Sequence, residues 1–265
     1  DVFINWNKYS FANVKAGQFK TPFGYEQLAA DTKTLTIERS LPNDRLTDSR
    51  QIGLGVSGDI IAKRLSYSVG AFNGSGVNNS FNDNESFMWA GRLNGVAFDG
   101  KVADRETRVA VGINALTTRD KSISKAGFGF DAPAAPAADN LFFGRRASYG
   151  IDAQVKWWLF GLEAEYLLSH FEPANRVPFD DLDAEGWYVT ATAEIWPKHL
   201  QALVKYETFD PNRDLAGNSS DVLTFGLNYF FKGDDLKLSV NYLLGNAAGA
   251  RDHQGRLLTR MQLVF

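Results

Sequence analysis

Apolar and polar residues alternate one for one through segment after segment of this chain, and the length of those segments leaves few folds open. In "YGIDAQVKW", Tyr149, Ile151, Ala153, Val155 and Trp157 share one face and Asp152, Gln154 and Lys156 the other. "WYVTATAEI" sets Trp187, Val189, Ala191, Ala193 and Ile195 against Thr190, Thr192 and Glu194. Side chains of an extended backbone point alternately to its two faces, so each stretch reads as a strand with one apolar and one polar side. The pattern recurs from Val2, Ile4 and Trp6 to Leu257, Thr259, Met261, Leu263 and Phe265. It yields about thirteen segments of roughly eight to eleven residues, the length a tilted strand needs to cross a bilayer. Strands of soluble sandwiches run shorter, typically about five or six residues.

Composition agrees. No run of about eighteen apolar residues exists, which excludes a membrane-spanning helix. A hydrophobic fraction of 44% and a mean hydropathy of -0.25 do not exclude a spanning barrel, which hides its apolar residues at every second position. The absence of cysteine removes disulfide scaffolds, thiol nucleophiles and thiolate metal sites. A net charge of -3 argues against a nucleic-acid partner.

Links between segments alternate in length. Residues 246–255, 210–219, 171–183 and 118–147 are long, while "FKGDD", "PKH" and the turn after Trp158 are short. The same order holds upstream, with the long links 74–85 and 21–49. Outer-membrane barrels keep short turns on one rim and long loops on the other. Trp157, Trp158, Trp196, Phe230 and Phe231 flank the short turns, where an interfacial aromatic girdle belongs. The fold expected is therefore all-β: one transmembrane antiparallel barrel over residues 1–265. Closed single-chain barrels take even strand numbers. Because the first segment starts mid-strand with no leader ahead of it, three further upstream strands are expected, for sixteen in all and an aqueous lumen.

The link between the second and third segments is too apolar to be solvated, carrying Phe19, Phe23, Tyr25, Leu28, Leu35, Ile37 and Leu41. Folded into the lumen, residues 20–50 would bury these groups and narrow the channel. Here "GQFKTPFGYEQL", "TIERSLPNDRL" and "RQIGLGVSGD" closely resemble the phosphate-selective porin O and P family, whose "GKFK-PFG-E" and "ERS-P" signatures sit on this loop. The resemblance implies a homotrimer of sixteen-stranded barrels in the outer membrane of a Gram-negative bacterium, in contact with lipid and lipopolysaccharide. It further implies passage of small anionic solutes, phosphate or polyphosphate among them, past lysines and arginines at a constriction. The closing Phe265 resembles the signal read by the barrel insertion machinery.

An anion channel needs cations facing the lumen near its waist. Candidates are Lys20, Lys33, Arg39, Arg45 and Arg50 on the loop, and Lys15, Arg92, Arg108, Lys156, Lys205, Lys237, Arg256 and Arg260 on inward strand faces. Acids oppose them: Glu26, Asp31, Glu38, Asp44 and Asp48 match the loop cations in number, and Asp152, Glu163, Glu165, Glu194 and Glu207 share the lumen face. Glu38 beside Arg39 and Asp44 beside Arg45 read as structural pairs. Two readings stay open, an anion-preferring porin and a general diffusion porin without phosphate specificity. An outer-membrane barrel enzyme would need a convergent serine, histidine and acid, and His170, His199 and His253 lie apart. No cofactor is expected: "GLGVSG" has dinucleotide-loop spacing but opens no helix. The acids of "FDDLDAE" and "NDNE" fit no EF-hand spacing. "FGFDAPAAPAADN" is an Ala/Pro-rich outer loop.

Overall fold

A computed structural model of the chain describes residues 1–61, 64–79, 82, 85–124, 141–174, 181–246 and 255–264. The Ala/Pro-rich stretch 128–140 and Phe265 lie outside them. Thirteen strands appear: β1 (Val2–Tyr9), β2 (Ala12–Lys20), β3 (Arg50–Ile61), β4 (Leu65–Phe72), β5 (Met88–Val102), β6 (Arg105–Ser124), β7 (Leu141–Trp157), β8 (Phe160–Pro173), β9 (Leu182–Trp196), β10 (Leu200–Asp210), β11 (Ser220–Lys232), β12 (Leu236–Gly245) and β13 (Arg256–Leu263). They form one sheet in chain order, and each ladder is antiparallel. Among the described residues no ladder joins β1 to β13. These two strands run in the same direction, so an all-antiparallel closure is not available to the thirteen alone, and sixteen strands are not observed.

Several strands exceed the eight to eleven residues expected. β6 runs for 20 residues and β7 for 17, so both ends of the link expected at 118–147, residues 118–124 and 141–147, are strand. Polar Thr118, Asp120, Arg146 and Ser148 had obscured this, yet they sit on the lumen side, where polarity is what a spanning strand carries. The alternation of rims holds: Ala103 and Asp104, with φ of 50° and 59°, close β5 to β6 as a two-residue turn. The turns after β1, β7, β9 and β11 are similarly short and lie on that rim.

Face assignment follows the alternation. Leu54, Ile113, Ile151 and Leu227 point away from the lumen and remain 54%, 56%, 55% and 48% exposed, a surface that only hydrocarbon makes favourable. The polar partners Asn114, Asp152, Glu165, Lys205, Lys237 and Asn241 are buried inside. The packed apolar core also lies within the barrel. Inward-facing Phe19, Phe72, Met88, Leu116, Phe142, Leu167, Phe171 and Phe209 enclose Phe23 and Leu46 of the link between β2 and β3. Burial of such side chains contributes about 1.5–3 kcal/mol each, which favours the lumen position of that link.

Candidate functional site

The link between β2 and β3 crosses the barrel interior and carries two short helices, α1 (Tyr25–Leu28) and α2 (Leu41–Leu46). At Gly24 the chain bends inward with φ of 79°. A Cβ there would lie 2.7 Å from the Thr47 side chain, so both backbone and space require glycine. The Gly24 amide donates to Asn114 Oδ1 of β6 at 3.3 Å. The free amides opening α1 find their acceptor on the opposite wall: Tyr25 N donates to Glu165 Oε1 at 2.5 Å and Glu26 N to Oε2 at 3.2 Å. The Tyr25 phenol donates to Glu163 Oε1 at 3.0 Å, and burial raises its pKa far above the ordinary phenol value. Ser40 donates to Glu26 Oε2 through both its amide (2.8 Å) and its hydroxyl (2.6 Å), tying the return arm to the entry.

Buried ion pairs fix this carboxylate-rich side. Lys205 Nζ lies 3.2 Å from Glu26 Oε1 and 3.0 Å from Glu207 Oε2. Arg146, 1% exposed, bonds Asp120 and the loop's Asp48, each at 2.8 Å. Arg92 makes a bidentate pair with Asp152 at 2.5 and 2.8 Å. Each cation here is matched or outnumbered by acids.

The other side of the loop is held differently. Lys237 Nζ donates to the carbonyls of Thr32 (2.9 Å) and Thr34 (3.3 Å) and reaches Asp234 at 3.4 Å. Arg260 donates to the Ile37 carbonyl at 3.3 Å and the Thr34 hydroxyl at 3.2 Å. Lys20 Nζ is bound by the carbonyls of Gln27 (2.9 Å) and Ala29 (2.6 Å). Asn228 donates to the Leu35 carbonyl at 2.9 Å, and Asn241 accepts from the Ile37 amide at 2.7 Å. Carbonyl dipoles position these cations without cancelling their charge. Two acids stand beside them, Asp234 at Lys237 and Asp31 near Lys20 and Arg260; the hydrogen bond from Arg39, opposed by modest burial, holds the Asp31 carboxyl below the usual carboxylate range.

The remaining sequence candidates fall in different places. Arg39 pairs with Asp31, and Glu38 pairs with Arg256 of β13. The expected Glu38 and Arg39 pairing is therefore wrong: neighbours in an extended stretch point apart, and each finds a partner elsewhere. Arg50 lies 2.6 Å from Asp1. Lys15 sits over the Phe3 ring, 5.0 Å from its centroid, and Arg108 pairs with Asp99 at 2.8 Å. Lys33 is exposed on the loop and borders a cavity of about 360 Å³ shared with Tyr25, Glu163 and Thr190. Arg45 lines a larger cavity on the long-loop side of the constriction, about 520 Å³, with Arg39, Glu207, Asn241 and Arg256. On the turn side, Arg108, Lys156, Glu163 and Glu194 line about 420 Å³. The loop thus separates two aqueous vestibules.

Sequence reasoning missed Arg146, the most enclosed cation of the site. Stepping back by twos from Asp152 through Gly150 and Ser148 reaches it, so the signal was present in the register. Its partners, 98 and 26 residues away, were not legible. Among the described residues no group of three His, Asp or Glu could hold a metal ion. Asp183 and Glu185 of the acidic cluster instead engage His170, Tyr166 and Arg213.

Similar solved structures share this architecture at identities that establish the fold alone. The anion-selective porin from Comamonas acidovorans matches with a TM-score of 0.62 and 11% identity, over 98% of this chain and 72% of that one. OprB of Pseudomonas putida matches at 0.60 and 12%, over 98% and 70%. OmpT, an outer membrane protein of Vibrio cholerae solved in a trimer form, matches at 0.55 and 12%, over 97% and 75%. No curated protein matches the chain in sequence. The family description "Phosphate-selective porin O and P" matches residues 1–265.

Proposed function

The chain belongs to the phosphate-selective porin O and P family, and from that membership and its lumen we propose a passive outer-membrane channel for small hydrophilic solutes with a modest preference for anions. The observation that carries the preference is the asymmetry of the constriction. Lys20, Lys237 and Arg260 are held mainly by backbone carbonyls, whereas Lys205, Arg146 and Arg92 are neutralised by carboxylates. Low-dielectric walls focus the uncancelled field on passing ions. Guanidinium and ammonium groups replace part of an anion's hydration, and weak binding lets it leave.

In this reading Lys20, Lys33, Arg39, Arg45 and Arg50 gather anions at the waist, while Lys15 and Arg108 set the field along the wall and Arg92 is neutralised by Asp152. A dedicated phosphate site requires cations with room for bidentate contacts, and Arg39 and Arg45 on the 520 Å³ vestibule offer that room. The constriction does ion passage, not bond making, so the chain acts as a channel rather than an enzyme. Its working form is a homotrimer embedded in outer-membrane lipid, delivered by the barrel insertion machinery. Chemical cross-linking in the membrane tests the trimer and fails it if only monomers are trapped.

The phosphate step is tested by block of the single-channel chloride current. Phosphate added to one side should reduce the current, and Arg39→Ala with Arg45→Ala should remove the block while the channel stays open. Block that persists unchanged in the double variant would refute the assignment and leave a general diffusion porin.

A further inference from the structure

We infer that the cavity between residues 28–36 of the loop and the β8–β9 wall is a subsite for an uncharged, polyhydroxylated ring, a solute of monosaccharide size. The inference goes beyond the anion passage proposed above and rests on the channel reading. The β8–β9 ladder sets Tyr188 opposite Glu165 and Thr190 opposite Glu163, and these side chains face the lumen. Tyr188 is 2% exposed, and Lys205 Nζ lies 5.1 Å from the centroid of its ring. Its hydroxyl nevertheless has no hydrogen-bond partner among the described residues. Buried polar groups are paired as a rule, and Tyr188 lines the cavity of about 360 Å³, which makes an entering solute the partner at hand. Beside it Glu163 accepts from Tyr25 through Oε1, which leaves Oε2 for a second donor.

The lining selects the solute class. The loop side of the cavity is apolar, with Leu28, Ala29, Ala30 and Leu35, and the wall side is polar, with Tyr188, Thr190 and Glu163. Ligand pockets combine apolar walls with a few placed polar groups in this way. A sugar ring is divided to match, with hydroxyls around its rim and C–H groups on its faces, whereas a bare ion offers no apolar face. Charge balance points the same way: Glu163 and Lys33 border the cavity with opposite signs, and Glu26 is held by Lys205. Tyr25, Leu35 and Glu163 also border the turn-side vestibule, so a solute there reaches the cavity directly. In that vestibule Lys156 pairs with Glu194 at 3.0 Å and Arg108 with Asp99 at 2.8 Å. The amides of Gln154 and Gln201 and the Thr192 hydroxyl stand among them, groups that both donate and accept as sugar hydroxyls do.

The test is block of the single-channel chloride current of the full chain by glucose added on the turn side, each variant referred to its own sugar-free current. Wild type should show saturable block, and Tyr188→Phe should raise the half-blocking glucose concentration about three- to tenfold, as loss of one buried hydrogen-bond partner allows. Because that hydroxyl has no partner in the protein, Tyr188→Phe should leave the unfolding temperature on a heated gel unchanged; a lowered temperature would make the hydroxyl structural and overturn the assignment. Ala30→Leu, which crowds the cavity from the exposed loop side, should weaken block without removing any polar group, and keeps the test open if Tyr188→Phe fails to fold. Block of equal strength by a polyethylene glycol of the same mass, or block unchanged in both variants, overturns the subsite. Stronger block by glycine than by glucose assigns the cavity to a dipolar ion held between Glu163 and Lys33 and overturns the sugar class. A conducting channel without glucose block removes the subsite and leaves the channel reading standing, whereas absence of any chloride current removes both.

Discussion

Replacing Lys205 by methionine should release the constriction loop. The ammonium is 2% exposed and lies 3.2 Å from Glu26 of the loop and 3.0 Å from Glu207 of β10. It is the cation that joins these carboxylates across the loop and the wall. Without it two carboxylates face each other in a dry setting, and removal of one partner of a buried ion pair costs about 3–5 kcal/mol. At about 1.4 kcal/mol per tenfold, the ratio of docked to released loop falls by roughly two to three and a half orders of magnitude. A released loop no longer separates the vestibules, so single-channel conductance in concentrated potassium chloride should rise and flicker, and trypsin should cut more readily after the exposed Lys33. Adding Glu26→Gln removes one stranded charge while keeping the acceptor for Ser40, so the double variant should lose less than the sum of the single changes. Conductance and trypsin resistance both unchanged in Lys205→Met would refute the reasoning, because they would mean the loop's other ion pairs, hydrogen bonds and apolar contacts hold it without Lys205.

Other consequences are as specific. Arg146→Met strands Asp48 and Asp120 and should lower stability by about 3–5 kcal/mol, read as a lower temperature of barrel unfolding on a heated gel; adding Asp48→Asn and Asp120→Asn should recover most of the loss. Gly112→Ser puts a Cβ 2.3 Å from the Arg92 guanidinium and 2.6 Å from the Asp152 carboxylate, and should cost about 1–3 kcal/mol by overpacking in the same assay. Asp31→Asn removes the acid beside Lys20 and Arg39, and should raise the anion to cation permeability ratio with a stability change below about 1 kcal/mol, since the pair is partly exposed. Acid should act in the same direction. The folded Asp31 carboxyl lies below its unfolded value, so its pairing is fully present above the ordinary carboxylate range and is lost as pH falls through the lowered folded value. Anion preference should therefore grow only in that acidic window, and growth already near neutral pH would assign it to another group.

Strand parity was legible because a bilayer imposes it locally. Ile151 and Asp152 must go to opposite sides whatever their neighbours do, and the observed burial follows. The inward course of the loop was legible from Phe23 and Tyr25, whose apolar bulk has no place in a solvated link. What held the loop was not. Glu26 meets Lys205 across 179 residues, and Ile37 meets Asn241 across 204; barrel register and curvature decide such pairs, and no local pattern encodes them. Pairing Glu38 with Arg39 failed for that reason. The extended reach of β6 and β7 was hidden in a similar way: Asp120 and Arg146 look like loop residues in sequence, and the β6–β7 ladder with their mutual ion pair makes them wall residues.

The zero-current potential of the purified channel in a planar bilayer under a potassium chloride gradient bears on the central claim most directly. A potential of anion sign, reduced in Lys20→Gln with Lys237→Gln, is the result expected if carbonyl-held cations govern the constriction; a cation-selective potential, with the variant unchanged, would mean that Glu163 and its neighbouring acids set the field and would contradict it.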